Sequence, residues 1–183
     1  MQQCARDARL LVWDALGEWC RRAHLTNTAR LSELANMVAR SGSAPRFRVA
    51  YTGPVTREHF ATFCAIAWAW LRARPGTLVV EELADVTSPG KAPTEWGEIV
   101  RKGRHTGAQV YALTQRPAES DKTILGNAAL IHAGLCSSER DRVYIARCLD
   151  VPEGEVRALR QLQWIERDMR SRELRRGVVK FRR

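Results

Sequence analysis

Thr77-Leu78-Val79-Val80-Glu81-Glu82 follows a Pro75-Gly76 turn and sets the reading of this 183-residue chain. Its β-branched and aliphatic residues predict a strand, and two acids close it. Working outward, Arg9-Leu10-Leu11-Val12-Trp13-Asp14 is a similar run broken by Gly17, and Phe47-Arg48-Val49-Ala50-Tyr51 is another, closed by Thr52-Gly53-Pro54. Ala108-Gln109-Val110-Tyr111-Ala112-Leu113-Thr114 and Ala129-Leu130-Ile131-His132-Ala133-Gly134-Leu135 complete the set. These runs are apolar on both faces, as strands covered by helices on either side should be. Helical spacing marks residues 28–40, 56–73, 94–103, 139–149 and 152–162. The alternation predicts an α/β fold around a mainly parallel sheet. Residues 163–169 and 173–181 flank Arg170-Ser171-Arg172 and predict a C-terminal β-hairpin at the sheet edge. In 56–73, Trp68 and Trp70 are read as packing residues rather than base-stacking ones.

Glu81 and Glu82 emerge at the carboxyl end of their strand, where ligand crevices of open α/β sheets lie. One carboxylate there can hold a hydrated Mg²⁺, and its neighbour can orient an attacking water. Apolar residues followed by two acids look like a Walker B motif, although many structural strands also end in acids. Thr114-Gln115-Arg116-Pro117 leaves the next strand as a polar cluster. A Gln at a strand tip can position a water or sense a phosphate, and an Arg can neutralise developing charge.

Taken together, Val79-Val80-Glu81-Glu82, Gly103-Arg104-His105-Thr106-Gly107, Thr114-Gln115-Arg116-Pro117 and Asp121-Lys122-Thr123-Ile124-Leu125-Gly126-Asn127-Ala128 resemble the FtsK/HerA superfamily of DNA-pumping P-loop ATPases. Phage packaging ATPases and zonula-occludens-toxin-like assembly ATPases carry similar segments. The opening Leu11-Val12-Trp13-Asp14-Ala15-Leu16-Gly17-Glu18-Trp19 resembles the family's second strand and its Asp-x-x-Gly-Glu turn. The likeness spans about residues 9–150. It implies a RecA-like three-layer sandwich that hydrolyses ATP with Mg²⁺ to move DNA, working as a ring, usually a hexamer. Carried over by position, Glu81 takes the Mg²⁺-associated place, more usually Asp, and Glu82 that of the catalytic carboxylate. Gln115 matches the polar sensor, and Thr114 and Arg116 would stand beside the nucleotide. Arg104 occupies a basic position that would act in trans across a subunit interface, or is a solvated cation at a helix end. Arg116 would serve the same end or form a structural ion pair. His105 is read as a surface residue at a helix terminus.

The resemblance also implies a Gly-x-x-x-x-Gly-Lys-[Ser/Thr] loop, whose backbone N–H groups would cradle phosphates. Residues 1–183 contain none; Ser88-Pro89-Gly90-Lys91-Ala92-Pro93-Thr94 has prolines on both sides of its Gly-Lys and follows the wrong strand. The family places that loop before the strand at residues 10–13, and residues 1–8 read as the last turns of the helix that follows it. Two expectations stay open: the gene product begins upstream, or the chain is a degenerate relative. In either case residues 1–162 form an incomplete ATPase core and 163–183 a basic hairpin, and the chain by itself should hydrolyse ATP little. The other readings are a non-catalytic nucleic-acid-binding module and a ring-assembly subunit that keeps the fold.

The formal net charge is +10, and residues 167–183 hold eight Lys/Arg against Asp168 and Glu173. The basicity therefore belongs mostly to the hairpin, which makes it the first place to look for DNA. A charged edge that discourages strand pairing is the alternative. Five cysteines, an odd number with no CxxC spacing, fit a reduced cytoplasmic interior. No apolar run approaches the roughly 18–20 residues that span a bilayer.

Overall fold

The computed structural model describes residues 6–180. The elements run β1 (Arg9–Trp13), α1 (Glu18–Arg22), β2 (Thr26–Thr28), α2 (Leu31–Ser41), β3 (Phe47–Tyr51), α3 (Arg57–Ala73), β4 (Thr77–Val80), α4 (Leu83–Val86) and α5 (Thr94–Lys102). A 3-10 turn (Gly103–Thr106) then leads to β5 (Gln109–Ala112), α6 (Lys122–Asn127), β6 (Leu130–Ala133), α7 (Glu139–Leu149), α8 (Glu153–Arg157), β7 (Gln163–Asp168) and β8 (Leu174–Val178). The helical turns expected over residues 1–8 fall largely outside the described residues, and 6–8 are turn and bend. The last residues of the expected hairpin, 181–183, also lie outside them.

β1, β3, β4 and β5 stand where the apolar runs predict strands, and all pair in parallel. The five-stranded sheet has the order β2-β3-β1-β4-β5. Every residue of β1 and of β4 is buried, because helices cover both faces. α3 forms the main cover. Thr56 caps it by accepting from the His59 backbone N–H, and Phe60, Phe63, Cys64, Ala67, Trp70 and Leu71 are buried. Trp13 sits at the centre of this layer, stacked on Tyr51 at 5.1 Å and edge-on to Phe60 and Phe63 at 5.2 Å. Each such pair contributes about 0.5–1.5 kcal/mol beyond its area burial. Trp70 is fully buried and lies under the Arg9 guanidinium at 4.7 Å, so it packs, as expected. A smaller core of Leu10, Val12, Trp19, Leu25, Ala50 and Val79 fills the other face.

The C-terminal hairpin forms as expected, but its partner is β6. β6, β7 and β8 make a second, antiparallel three-stranded sheet, with Ile131 opposite Arg167 and Trp164 opposite Gly177. This sheet has its own core, in which Ile131, Ile145, Leu149, Val156 and Ile165 meet. β2 and α1, like the short helices α4 and α6, had no advance signal. β2 is Thr-Asn-Thr, extended because it pairs with β3, and α1 is a five-residue helix that opens from Gly17 in the left-handed region at φ 66°. Among the described residues no helix is long and apolar enough to cross a membrane.

Candidate active site

The carboxyl ends of β1, β3 and β4 are level, held by Asp14 N–H to Tyr51 C=O (2.9 Å) and Glu81 N–H to Trp13 C=O (3.1 Å). Beyond Val80 the chain turns sharply. Glu82 takes φ 47° and ψ 51°, a left-handed conformation that costs a non-glycine residue of order 1 kcal/mol or more. Two backbone bonds clamp it there: Leu113 donates to Val80 C=O at 2.8 Å, and Leu83 donates to Leu113 C=O at 3.0 Å. α4 then begins at Leu83, and the turn leaves the Glu82 carboxylate at the surface.

β5 delivers its polar tip to the same place. Gln115 Nε2 donates to Glu82 Oε1 at 2.8 Å, so the sensor and the carboxylate expected from the sequence are in contact. Oε2 of Glu82 has no partner among the described residues. Thr114 Oγ1 accepts from the Arg116 backbone N–H at 3.1 Å and shapes the turn into Pro117. Arg116 is exposed and pairs with Glu119, the structural role foreseen as its alternative. Asp121, fully buried, fixes the segment behind them. It accepts from Thr123 and Ile124 backbone N–H groups and from Trp96 Nε1 at 2.9 Å.

Glu81 goes the other way. Successive residues of an extended strand face opposite sides, and Glu81 follows Val79 into the smaller core. It is 8% exposed, and its Oε1 accepts from Trp19 Nε1 at 2.6 Å. Its buried Oε2 has no hydrogen-bond partner among the described residues. Asp14, 1% exposed, is its neighbour, and accepts from the backbone N–H groups of Trp19 and Cys20. Burial, opposed by the Trp19 hydrogen bond and reinforced by Asp14 and Glu18, pushes the Glu81 carboxyl up to about 7. A direct Mg²⁺ ligand needs an ionised, open carboxylate. Glu81 as placed is buried, with Oε1 committed to Trp19 and Oε2 left as its one oxygen without a partner among the described residues. Asp14 and Trp19 were not singled out as site residues from the sequence; the acid at the end of an apolar run was the available signal.

Arg104 lies in the 3-10 turn that enters β5, exposed, with its Nε 3.5 Å from His105 Nε2. Gln109 N–H bonds to Gly76 C=O at the amino end of β4. At about 3.3 Å per residue, Arg104 is therefore roughly 20 Å from Gln115 along the strand. Within one chain the two do not meet.

An interior strand ending in two acids thus stands beside a strand tipped by Thr-Gln-Arg in a parallel α/β core. The sequence is 34% identical over 158 residues to Protein P9 of Pseudoalteromonas phage PM2, covering 86% of this chain and 70% of that one. The genome packaging NTPase B204 of Sulfolobus turreted icosahedral virus 2, solved with AMPPCP, superposes with a TM-score of 0.75 at 15% identity over 97% of this chain and 86% of that one. Its complex with ATP-gammaS gives 0.76 at 16% identity, over 97% and 85%. No protein-family model matches. The chain belongs to one family with the phage Protein P9, and it has the fold of the genome packaging NTPase.

Proposed function

We propose that this chain carries the hydrolytic half of the ATP site of a viral genome-packaging motor. The observation that carries the reading is the Gln115–Glu82 pair, held at the carboxyl ends of adjacent parallel strands with Glu82 in a strained, clamped turn. Glu82 is the catalytic carboxylate. Its open Oε2 accepts a proton from the water that attacks the terminal phosphate of ATP, while Gln115 fixes the orientation of Oε1. Glu81, held by Trp19 beside Asp14, would brace the turn from behind, and Mg²⁺ carried with the phosphates would supply charge neutralisation at the tip. Thr114 shapes the tip beside the nucleotide, and Arg116 stays in its pair with Glu119.

Hydrolysis also needs a phosphate cradle, and residues 1–183 contain no Gly-x-x-x-x-Gly-Lys-[Ser/Thr]. On this reading the cradle would have to be supplied to the Glu82–Gln115 tip by other residues than these. Arg104 is too far from Gln115 to act in its own subunit, which favours an action across a ring interface if it acts at all. The absent loop equally favours a second reading, in which residues 1–183 alone form a DNA-binding or ring-assembly unit.

DNA would meet the C-terminal hairpin. Arg175 pairs with Glu173, Arg176 with Glu155, and Arg167 is spent on the backbone carbonyls of Leu149, Asp150 and Arg172. Arg170, Arg172 and Lys180 have no ion-pair partner among the described residues and are the phosphate contacts proposed here. ATP turnover by the protein from its complete reading frame, compared with Glu82→Gln, tests the catalytic reading. Turnover unaffected by that substitution would remove it.

A further inference from the structure

We infer that the outward face of the β6-β7-β8 sheet is a base-stacking platform for single-stranded DNA. The rings of Trp164 and His132 receive unpaired bases, and Arg170, Arg172 and Lys180 hold the phosphates on either side. DNA as the occupant rests on the proposal that the C-terminal hairpin meets the packaged genome; the platform adds which form of DNA it takes and which side chains read it.

Strand alternation sorts this sheet into two faces. Ile131, Ala133 and Ile165 point to one side, where α7 and α8 bury them with Ile145, Leu149 and Val156. The pairing places His132 and Arg175 on either side of Glu166, and Gly177 opposite Trp164, all on the other side. Among the described residues no side chain of this second face is buried, although all three strands contribute to it. Leu130, on the same face, is 49% exposed.

The aromatic pair at its centre is set in place. The Trp164 indole lies over Gly177, where a Cβ would come within 2.4 Å of the ring. Glycine in mid-strand weakens a sheet, and here its missing side chain is what lets the indole lie across β8. The His132 ring stands beside the indole, with centroids 5.2 Å apart and planes 33° from parallel. Glu166 Oε2 meets His132 Nδ1 at 3.1 Å and fixes the orientation of that ring. Two neighbouring rings, each open to solvent, are therefore held at the middle of the face.

Charge selects the occupant. The acids on or beside this face are each engaged within the protein. Glu166 pairs with His132, Glu173 pairs with Arg175, and Asp168 accepts from the backbone N–H groups of Arg170 and Ser171 at 2.8 and 3.0 Å. The cations left without an ion-pair partner among the described residues are Arg170 and Arg172 at the turn of the hairpin and Lys180 at its open end. β7 between them has six residues, about 20 Å of strand at about 3.4 Å each. Positive charge thus stands at both ends of an aromatic surface. Single strands are bound in this way, by cations that follow the backbone and aromatic faces on which successive bases stack. In a duplex the bases stack on one another and offer only their edges to a protein. A duplex would engage the same cations and leave both rings idle.

Fluorescence anisotropy of the chain with labelled oligonucleotides of equal length tests the platform. The probes are a thymidine single strand, the same strand with abasic sites throughout, its RNA counterpart and a duplex. The thymidine strand should bind about tenfold or more tightly than the abasic strand, which keeps the phosphates and lacks the bases. Trp164→Ala should weaken binding of the thymidine strand about tenfold, His132→Ala should weaken it by a smaller factor, and Trp164→Phe should keep most of the affinity. Abasic and duplex affinities should stay within about twofold of the parent in all three, since they rest on phosphate contacts. Equal affinity of the parent protein for the thymidine and abasic strands would overturn the platform, and that comparison holds even if Trp164→Ala fails to fold. An equal loss for duplex and single strand in Trp164→Ala would overturn it too, as would tighter binding of the RNA. Self-association that Trp164→Ala abolishes, with DNA affinity unchanged, would give the face to a second copy instead. Arg170→Ala separates the two claims. If it weakens every strand alike while thymidine and abasic strands remain equal, the hairpin meets DNA without a platform; if no oligonucleotide binds, both are removed.

Discussion

Gln115 reaches across from the tip of β5 to hold one carboxylate oxygen of Glu82, at 2.8 Å, just beyond the end of β4. Because Glu82 is also clamped through its backbone by Leu113, one strand end fixes both the main chain and the side chain of the other. The pair is exposed, so its contribution to folding is small and its consequence lies in orientation.

Gln115→Ala should therefore lower kcat for ATP by about tenfold or more while shifting folding stability by no more than about 1 kcal/mol. Steady-state turnover and a urea melt on the same preparation check both halves. A large loss of stability would mean that the pair is structural.

The Asp14–Glu81–Trp19 cluster makes stability depend on pH in an unusual direction. Glu81 is raised from 4.5 to about 7 in the folded protein, so between these values the native state binds the proton that the unfolded chain has lost. Stability must fall as pH rises across that window, by up to about 3 kcal/mol in all. Urea unfolding at pH 5 and pH 8 measures it. Glu81→Gln should flatten the dependence and stabilise the protein at pH 8; an unchanged slope would place the titration elsewhere.

Asp121 serves three donors that have no substitute, the Thr123 and Ile124 N–H groups and the Trp96 indole. Replacing it by Ala removes the α6 cap, about 1 kcal/mol, and leaves the buried Trp96 N–H without a partner, about 1–3 kcal/mol more. Asp121→Asn, which keeps one acceptor oxygen and turns an NH2 toward the other donor, should recover only part of this loss in a denaturant titration.

If the C-terminal hairpin meets DNA, each of Arg170, Arg172 and Lys180 replaced by Ala should reduce the slope of log K against log salt by about 0.9. Arg176→Ala should not, since Glu155 already holds that guanidinium. Fluorescence anisotropy with duplex DNA over a salt series reads the slopes. Equal effects at all four positions would show a diffuse field and no specific contact.

Much of the architecture is visible in the residues because parallel strands buried on both faces cannot hide: β1, β3 and β4 are continuous apolar runs. α3 is equally legible through its Thr56 cap and apolar surface. β2 was not, since Thr-Asn-Thr is extended only by pairing with β3. The choice of partner by β6 was also out of reach, because nothing local distinguishes pairing with β7 from pairing with β5. At the site, Glu82 and Gln115 could be placed by strand ends alone. The separation of Glu81 from Glu82 follows from strand alternation, but the Trp19 donor that receives Glu81 comes from α1, a five-residue helix with too little periodicity to announce itself.

The most direct test is ATP turnover by the protein from its complete reading frame against its Glu82→Gln variant, with nucleotide binding followed in parallel. The account predicts that Glu82→Gln binds ATP as the parent does and hydrolyses it about 100-fold more slowly or worse. A variant that hydrolyses ATP at the parental rate would contradict it.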